Sequence, residues 1–179
     1  MTRLFGCVAV FVALALTPAH AALAVGAKAP DFDVKAALAG KAFDFSLVDA
    51  LKKGPVVLYF FPAAFTPGCT VEAHDFAEAT DKFAALGATV IGVTSGNADR
   101  VTEFSSVECR NKFAVAADPD QKVIKEYDAV LKRKPEYSDR TSYVIAPDHT
   151  VLLAYTDLNP DKHVELTMDA VKKWKATHP

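Results

Sequence analysis

The chain is poor in cysteine. It has three, Cys7, Cys69 and Cys109, in 179 residues. None of them forms a Cys-x-x-Cys pair: Glu72 stands three residues after Cys69 and Thr66 three before it. That absence argues against a thiol carrier built on a paired dithiol. The five histidines and three cysteines are scattered, without the spacing of a metal site, so neither a metal nor a cofactor is expected. An excess of one charge is also missing. The 20 Lys and Arg are balanced by 22 Asp and Glu, a formal net charge of −2. Nothing here points to nucleic acid or an anionic membrane as partner. Beyond residue 16, no apolar run approaches the length of a membrane span. The content is 51% hydrophobic, which suits one domain with a full core.

The first residues read as an address rather than as fold. Arg3 supplies a short basic region, and residues 4–16 form an apolar segment too short to span a membrane. Thr17-Pro18-Ala19-His20-Ala21 then offers a small-x-small cleavage site. The expectation is a secretory signal at residues 1–21 and a mature domain at 22–179, exported to the periplasm or secreted. Cys7 would leave with the signal. Cys69 and Cys109 would remain, in a compartment where two cysteines can also make a structural disulfide.

The richest stretch is Phe60-Phe61-Pro62-Ala63-Ala64-Phe65-Thr66-Pro67-Gly68-Cys69-Thr70. Residues 56–61 are continuously apolar and read as a buried strand. A turn with two prolines, a threonine and a glycine follows, and then Cys69. After it the composition turns helical. Cys69 therefore falls in the first turn of a helix, where unpaired amides favour a negatively charged sulfur. A cysteine is more often a small buried hydrophobe, and turns are rich in Pro, Gly and Thr. Their combination around one sulfur is what points to reactivity. Thr66 offers a hydroxyl, Pro62 and Pro67 stiffen the loop, and Gly68 permits close approach.

Pro62-Ala-Ala-Phe-Thr66-Pro-Gly-Cys69 resembles the active-site loop of the peroxiredoxins. The continuation Thr70-Val71-Glu72-Ala73 is similar to the peroxiredoxin Q, or bacterioferritin-comigratory protein, branch. Residues 140–148, beginning Arg140-Thr141-Ser142-Tyr143, resemble the later segment whose arginine reaches the sulfur. Lys28-Ala29-Pro30-Asp31-Phe32 is similar to the family's opening. The resemblance implies a thiol-dependent peroxidase. Cys69 would be the nucleophile, and Arg140 would support the thiolate and bind peroxide oxygen. Thr66 would hydrogen-bond sulfur or peroxide, and Pro62 would screen the pocket. It also implies a peroxide substrate, a thioredoxin-like or other thiol reductant, and a monomer or weak homodimer. From residue type alone, Arg140 reads as a solvated surface charge. In the role the resemblance implies, replacing it is expected to slow the reaction by orders of magnitude and leave stability nearly unchanged. The competing reading is an exported thioredoxin-like thiol–disulfide carrier or binding protein, which the lack of Cys-x-x-Cys disfavours.

Many members of that branch carry a second cysteine five residues after the first; here that position is His74. Five residues turn a helix by roughly 140°, so His74 is expected on the helix surface, facing away from Cys69. Cys109 is then the one candidate for an internal resolving thiol. The alternative is a one-cysteine enzyme resolved by an outside thiol, with Cys109 inert.

Further along, the pattern predicts strands at 43–48, 56–61, 89–94, 114–117, 142–146 and 151–155. Helices are predicted at 69–86, 98–113, 121–129 and 161–175, with a hairpin turn at 147–150. Alternating strands and helices, then a hairpin and a last helix, predict an α/β thioredoxin-like fold: a central mixed sheet flanked by helices, with peroxiredoxin insertions.

Overall fold

The strand that leads to Cys69 is apolar at every position because both of its faces are buried. In β3 (Val56–Phe60), Val56, Leu58 and Phe60 enter one core, while Val57, Tyr59 and the following Phe61 enter a second. The computed structural model describes residues 22–178. The expected export signal and Cys7 lie outside them. Around β3 are β1 (Asp33–Leu38), β2 (Lys41–Ser46), β4 (Thr89–Thr94), β5 (Ala114–Ala117), β6 (Thr141–Ile145) and β7 (Val151–Thr156). They make one sheet in the order β2-β1-β5-β4-β3-β6-β7. β3 runs parallel to β4, and β4 to β5; β6 pairs antiparallel with both β3 and β7.

Helices cover both faces of this mixed sheet. α1 (Leu47–Leu51) and α4 (Lys122–Glu126) pack on the first core through Leu47, Leu51, Val123 and Ile124. α2 (Pro67–Ala85), α3 (Val101–Val107) and α5 (His163–Thr177) close the second with Phe76, Phe83, Phe104 and Val171. The expected α/β layering is therefore present, and among the described residues no helix is long and apolar enough to cross a membrane.

Two expected elements are redrawn and one strand is added. The strand read at 43–48 is β2 in its first part, and Leu47 begins α1 instead. Its partner β1 was not anticipated, because Ala36 and Ala37 fill its buried positions and alanine carries little strand signal. Ala39 and Gly40 join the two strands, both at positive φ (51° and 73°), as a two-residue hairpin of the primed type requires. The long helix read at 98–113 is a short 3₁₀ turn followed by the two turns of α3. Cys109 and Phe113 are buried, but from a turn rather than from a helix. Arg110 and Asn111 there adopt left-handed φ values of 51° and 60°.

Candidate active site

Cys69 is the third residue of α2. Thr66 caps the helix in an extended conformation and Pro67 opens it, where its missing N–H is no loss. The first-turn amides have no intrahelical acceptor, so the sulfur lies at the positive end of a 19-residue helix. Cys69 is only 1% exposed.

The loop before it is held from several sides. Ala64 N–H donates to the Gly96 carbonyl at 3.1 Å, and Asn97 Nδ2 donates to the Ala64 carbonyl at 2.7 Å. Thr94 Oγ1 donates to the Pro62 carbonyl at 3.2 Å. Gly96 is needed for this docking, since a Cβ there would sit 2.3 Å from the Pro62 oxygen. Phe65 takes a left-handed φ of 61°, unusual for a bulky side chain. Its ring is fixed edge-on to Phe104 at 5.2 Å and beneath the Arg100 guanidinium at 3.8 Å.

Arg140 reaches this sulfur from the start of β6. It is 4% exposed, so the surface-charge reading from residue type is corrected. All three of its side-chain nitrogens are engaged. Nη2 lies 3.5 Å from Cys69 Sγ, Nε donates to the Leu158 carbonyl at 2.9 Å, and Nη1 bonds Glu72 Oε2. A planar fork held at three points has little freedom left. Gly68 provides the room: a Cβ there would be 3.2 Å from Arg140 Nη2. Burial works against the arginine's charge, but Glu72 and the Cys69 sulfur hold its pKa above the ordinary value.

In the sequence Glu72 figures in the motif and in the missing Cys-x-x-Cys, with no role of its own. It is fully buried, and its Oε1 has no hydrogen-bond partner. Burial pushes its carboxyl up to about 8, against the pull of Arg140. Behind it stands His163, also fully buried, with Nδ1 3.7 Å from Glu72 Oε1. His163 Nε2 faces the Asp157 carbonyl at 2.9 Å and must donate to it; Nδ1 then accepts from Ser142 Oγ at 2.8 Å. Burial lowers the pKa of this histidine, in keeping with a neutral ring. The signal for Glu72 was available: it falls on the buried stripe of α2, with Cys69, Ala73 and Phe76.

The raised carboxyl gives a pH prediction. The folded chain holds the Glu72 proton more tightly than an unfolded carboxyl near 4.5 does. That stability is fully present below about pH 4.5 and is lost as pH rises through about 8. Relative to Glu72→Gln, wild type should lose about 3 kcal/mol between pH 5 and 8, at roughly 1.4 kcal/mol per unit. Urea midpoints of the two proteins read it, and subtraction removes the His163 contribution. Parallel curves would show Glu72 ionised throughout.

The remaining expected site residues are placed as follows. Thr66 Oγ1 donates to the Ala63 carbonyl at 3.0 Å rather than to the sulfur. Its lone pairs stay free to accept. Pro62 is half-buried and, with Thr66, Asn97 and Tyr137, lines a depression of about 320 Å³. A larger one of about 580 Å³, among Leu38, Phe43 and Phe113, contains none of these groups. Cys109 is a free, fully buried thiol whose pKa is raised well above the ordinary value, first by burial and then by Glu108. It follows α3 rather than ending a long helix. His74 is half-buried and bonded through Nε2 to Glu108 Oε2 at 2.7 Å, so it is not a free surface histidine. Among the described residues no cluster of three or more metal-ligating side chains forms.

A buried thiol at a helix N-terminus, backed by a buried arginine on a seven-stranded mixed sheet, is the layout of a thioredoxin-like thiol enzyme. The family model of the AhpC/TSA family matches residues 25–154, and the chain belongs to that family. It is 31% identical over 125 residues to the chloroplastic peroxiredoxin Q of Sedum lineare, covering 69% of this chain and 67% of the relative. It is 40% identical over 111 residues to a putative peroxiredoxin bcp of Helicobacter pylori, covering 62% and 70%. Among solved structures it resembles peroxidoxin BcpB from Mycobacterium tuberculosis at a TM-score of 0.75 and 28% identity, covering 83% of this chain and 96% of that one. The thioredoxin-like peroxiredoxin fold and the family read from the sequence are thus both found.

Proposed function

We propose that Cys69 is the residue through which this thiol-dependent peroxidase works, reducing hydrogen peroxide and organic hydroperoxides to water and alcohols. The observation that carries this is the Arg140 guanidinium 3.5 Å from a sulfur in the first turn of α2. The Cys69 thiolate attacks one peroxide oxygen and the O–O bond breaks. The sulfur becomes a sulfenic acid, and the second oxygen leaves as water or alcohol after taking a proton. Arg140 and the helix amides face the negative charge through this step. Thr66 orients the peroxide with its free lone pairs, and Pro62 screens the entrance from the adjoining depression.

Cys109 is proposed to resolve the sulfenic acid, and a thioredoxin-like or other thiol then reduces the disulfide. Both sulfurs belong to the core around Tyr59, Phe61 and Phe104. As it sits, Cys109 is too buried to ionise readily, so resolution needs local opening. Export of residues 22–179 is carried forward as part of the same proposal.

One experiment addresses these points together. Protein from the native host is treated with one equivalent of peroxide and its intact mass measured. The expected chain begins at Ala22 and is two hydrogens lighter than the reduced form, with Cys69 joined to Cys109. A Met1 start would defeat export. Cys69 oxidised beside a free Cys109 thiol would mean a one-cysteine enzyme.

A further inference from the structure

Three side chains on α2 pair in register with three on the segment that carries Cys109. His74, Glu78 and Asp81 are spaced i, i+4 and i+7, which puts them on one face of the helix. Glu108, Arg110 and Lys112 alternate along the segment after α3. His74 Nε2 meets Glu108 Oε2 at 2.7 Å, Glu78 Oε1 meets Arg110 Nη1 at 3.0 Å, and Asp81 Oδ2 meets Lys112 Nζ at 2.8 Å. Between the first two pairs, Cys109 turns inward and is fully buried.

The backbone here is under tension. Arg110 and Asn111 are consecutive left-handed residues, neither of them glycine, and such conformations persist only where their surroundings impose them. Backbone bonds hold it as well: Glu108 and Cys109 N–H both donate to the Phe104 carbonyl at 3.0 Å, Asn111 N–H to the Ser105 carbonyl at 3.3 Å and Lys112 N–H to the Cys109 carbonyl at 2.9 Å. A left-handed turn clamped to α2 by two ion pairs and a histidine–carboxylate bond gains freedom when those contacts open.

We propose that the three pairs are a latch on Cys109, holding its thiol in the core while Cys69 is reduced and setting how fast it is released. This rests on the reading of Cys109 as the resolving thiol. In the step it controls, the Cys109 sulfur attacks the Cys69 sulfenic sulfur. The S–O bond breaks as the S–S bond forms, and the hydroxyl departs with the thiol proton as water. The sulfenic sulfur is reduced and the Cys109 sulfur oxidised, with the peroxide already consumed as the source of oxidation. His74, Glu78 and Asp81 are positioning residues in this scheme, acting through the segment they hold.

The Glu78–Arg110 and Asp81–Lys112 pairs are exposed; such pairs are individually weak and screened by salt, and that weakness suits a latch. The test separates the latch from the chemistry. In full-length Cys69→Ser protein, the rate at which a maleimide labels Cys109 reports opening without any disulfide. Arg110→Glu should raise that rate about three- to tenfold, as should high salt. The swapped pair Glu78→Arg/Arg110→Glu should bring it back, with the urea midpoint little changed. In protein with both cysteines, the Cys69–Cys109 disulfide should form faster by a similar factor in Arg110→Glu. Labelling and disulfide formation indifferent to charge reversal and salt would overturn the latch and leave Cys109 as resolver. Labelling that responds while no disulfide ever forms would overturn both.

Discussion

Cys69→Ser should abolish peroxide consumption and leave the fold in place. A serine hydroxyl does not replace a thiolate in attack on an O–O bond, because the thiolate is the reactive species and the alcohol has none at neutral pH. The expected loss is complete. The structural effect is small, because serine is nearly the size of cysteine and Arg140 Nη2, 3.5 Å from the sulfur, stands ready to donate to its oxygen. A stability change of about 1 kcal/mol is expected for such a polar exchange. Stopped-flow peroxide consumption and a thermal melt check the two halves. Turnover at the wild-type rate in this variant would end the assignment.

Arg140→Ala should have two effects of different origin. The second-order rate with hydrogen peroxide should fall about 10²- to 10³-fold, the usual consequence of removing one donor from a developing negative charge. The sequence alone led to the expectation of unchanged stability, and the structure corrects it. Glu72 is fully buried against this arginine. Glu72 keeps its proton up to about pH 8, so at neutral pH the loss is one buried hydrogen-bond donor, about 1–3 kcal/mol. Above pH 8 the carboxyl has no counter-charge when it ionises, and the cost rises to about 3 kcal/mol or more. The two effects separate in Arg140→Ala/Glu72→Gln. There the extra loss above pH 8 should disappear, because no buried charge is left unpaired, while the rate should remain low. A double variant as unstable as the single one above pH 8 would show that the loss comes from packing. A single variant with an unaltered rate would show that Arg140 takes no part in the reaction.

What the sequence revealed follows a physical pattern. The segment from Val56 to the end of α2 was legible because three signals agree there: an apolar run, a proline- and glycine-rich turn, and a helical composition. Cys69 could be placed on that local grammar alone. Arg140 could be placed only through family resemblance, since its burial depends on Glu72, a residue 68 positions away. Glu72 was overlooked because charge normally marks a solvated position, though its helical spacing put it on the buried stripe. The helix read at 98–113 failed for the opposite reason. Its periodicity was real at Phe104, Cys109 and Phe113, but a chain can bury every fourth or fifth residue from a tight turn as well as from a helix. His74 was placed on the correct helix and away from Cys69. Its partner on a different element could not be seen in one dimension.

The two cores on either side of the sheet divide the molecule by consequence. Cys69 and Cys109 both lie in the core closed by α2, α3 and α5, and Glu72 lies on the buried face of α2. The opposite core, under α1 and α4, is aliphatic and aromatic, with Leu47, Leu51, Ile91 and Tyr127. Drift in the α1/α4 layer can therefore be absorbed as altered melting temperature. In the α2/α3 layer the same exchange of one methyl group shifts a sulfur, an arginine or the turn that carries Cys109. Substitutions under α1 and α4 are therefore expected to move the melting temperature alone, and those under α2 and α3 to move the peroxidase rate as well.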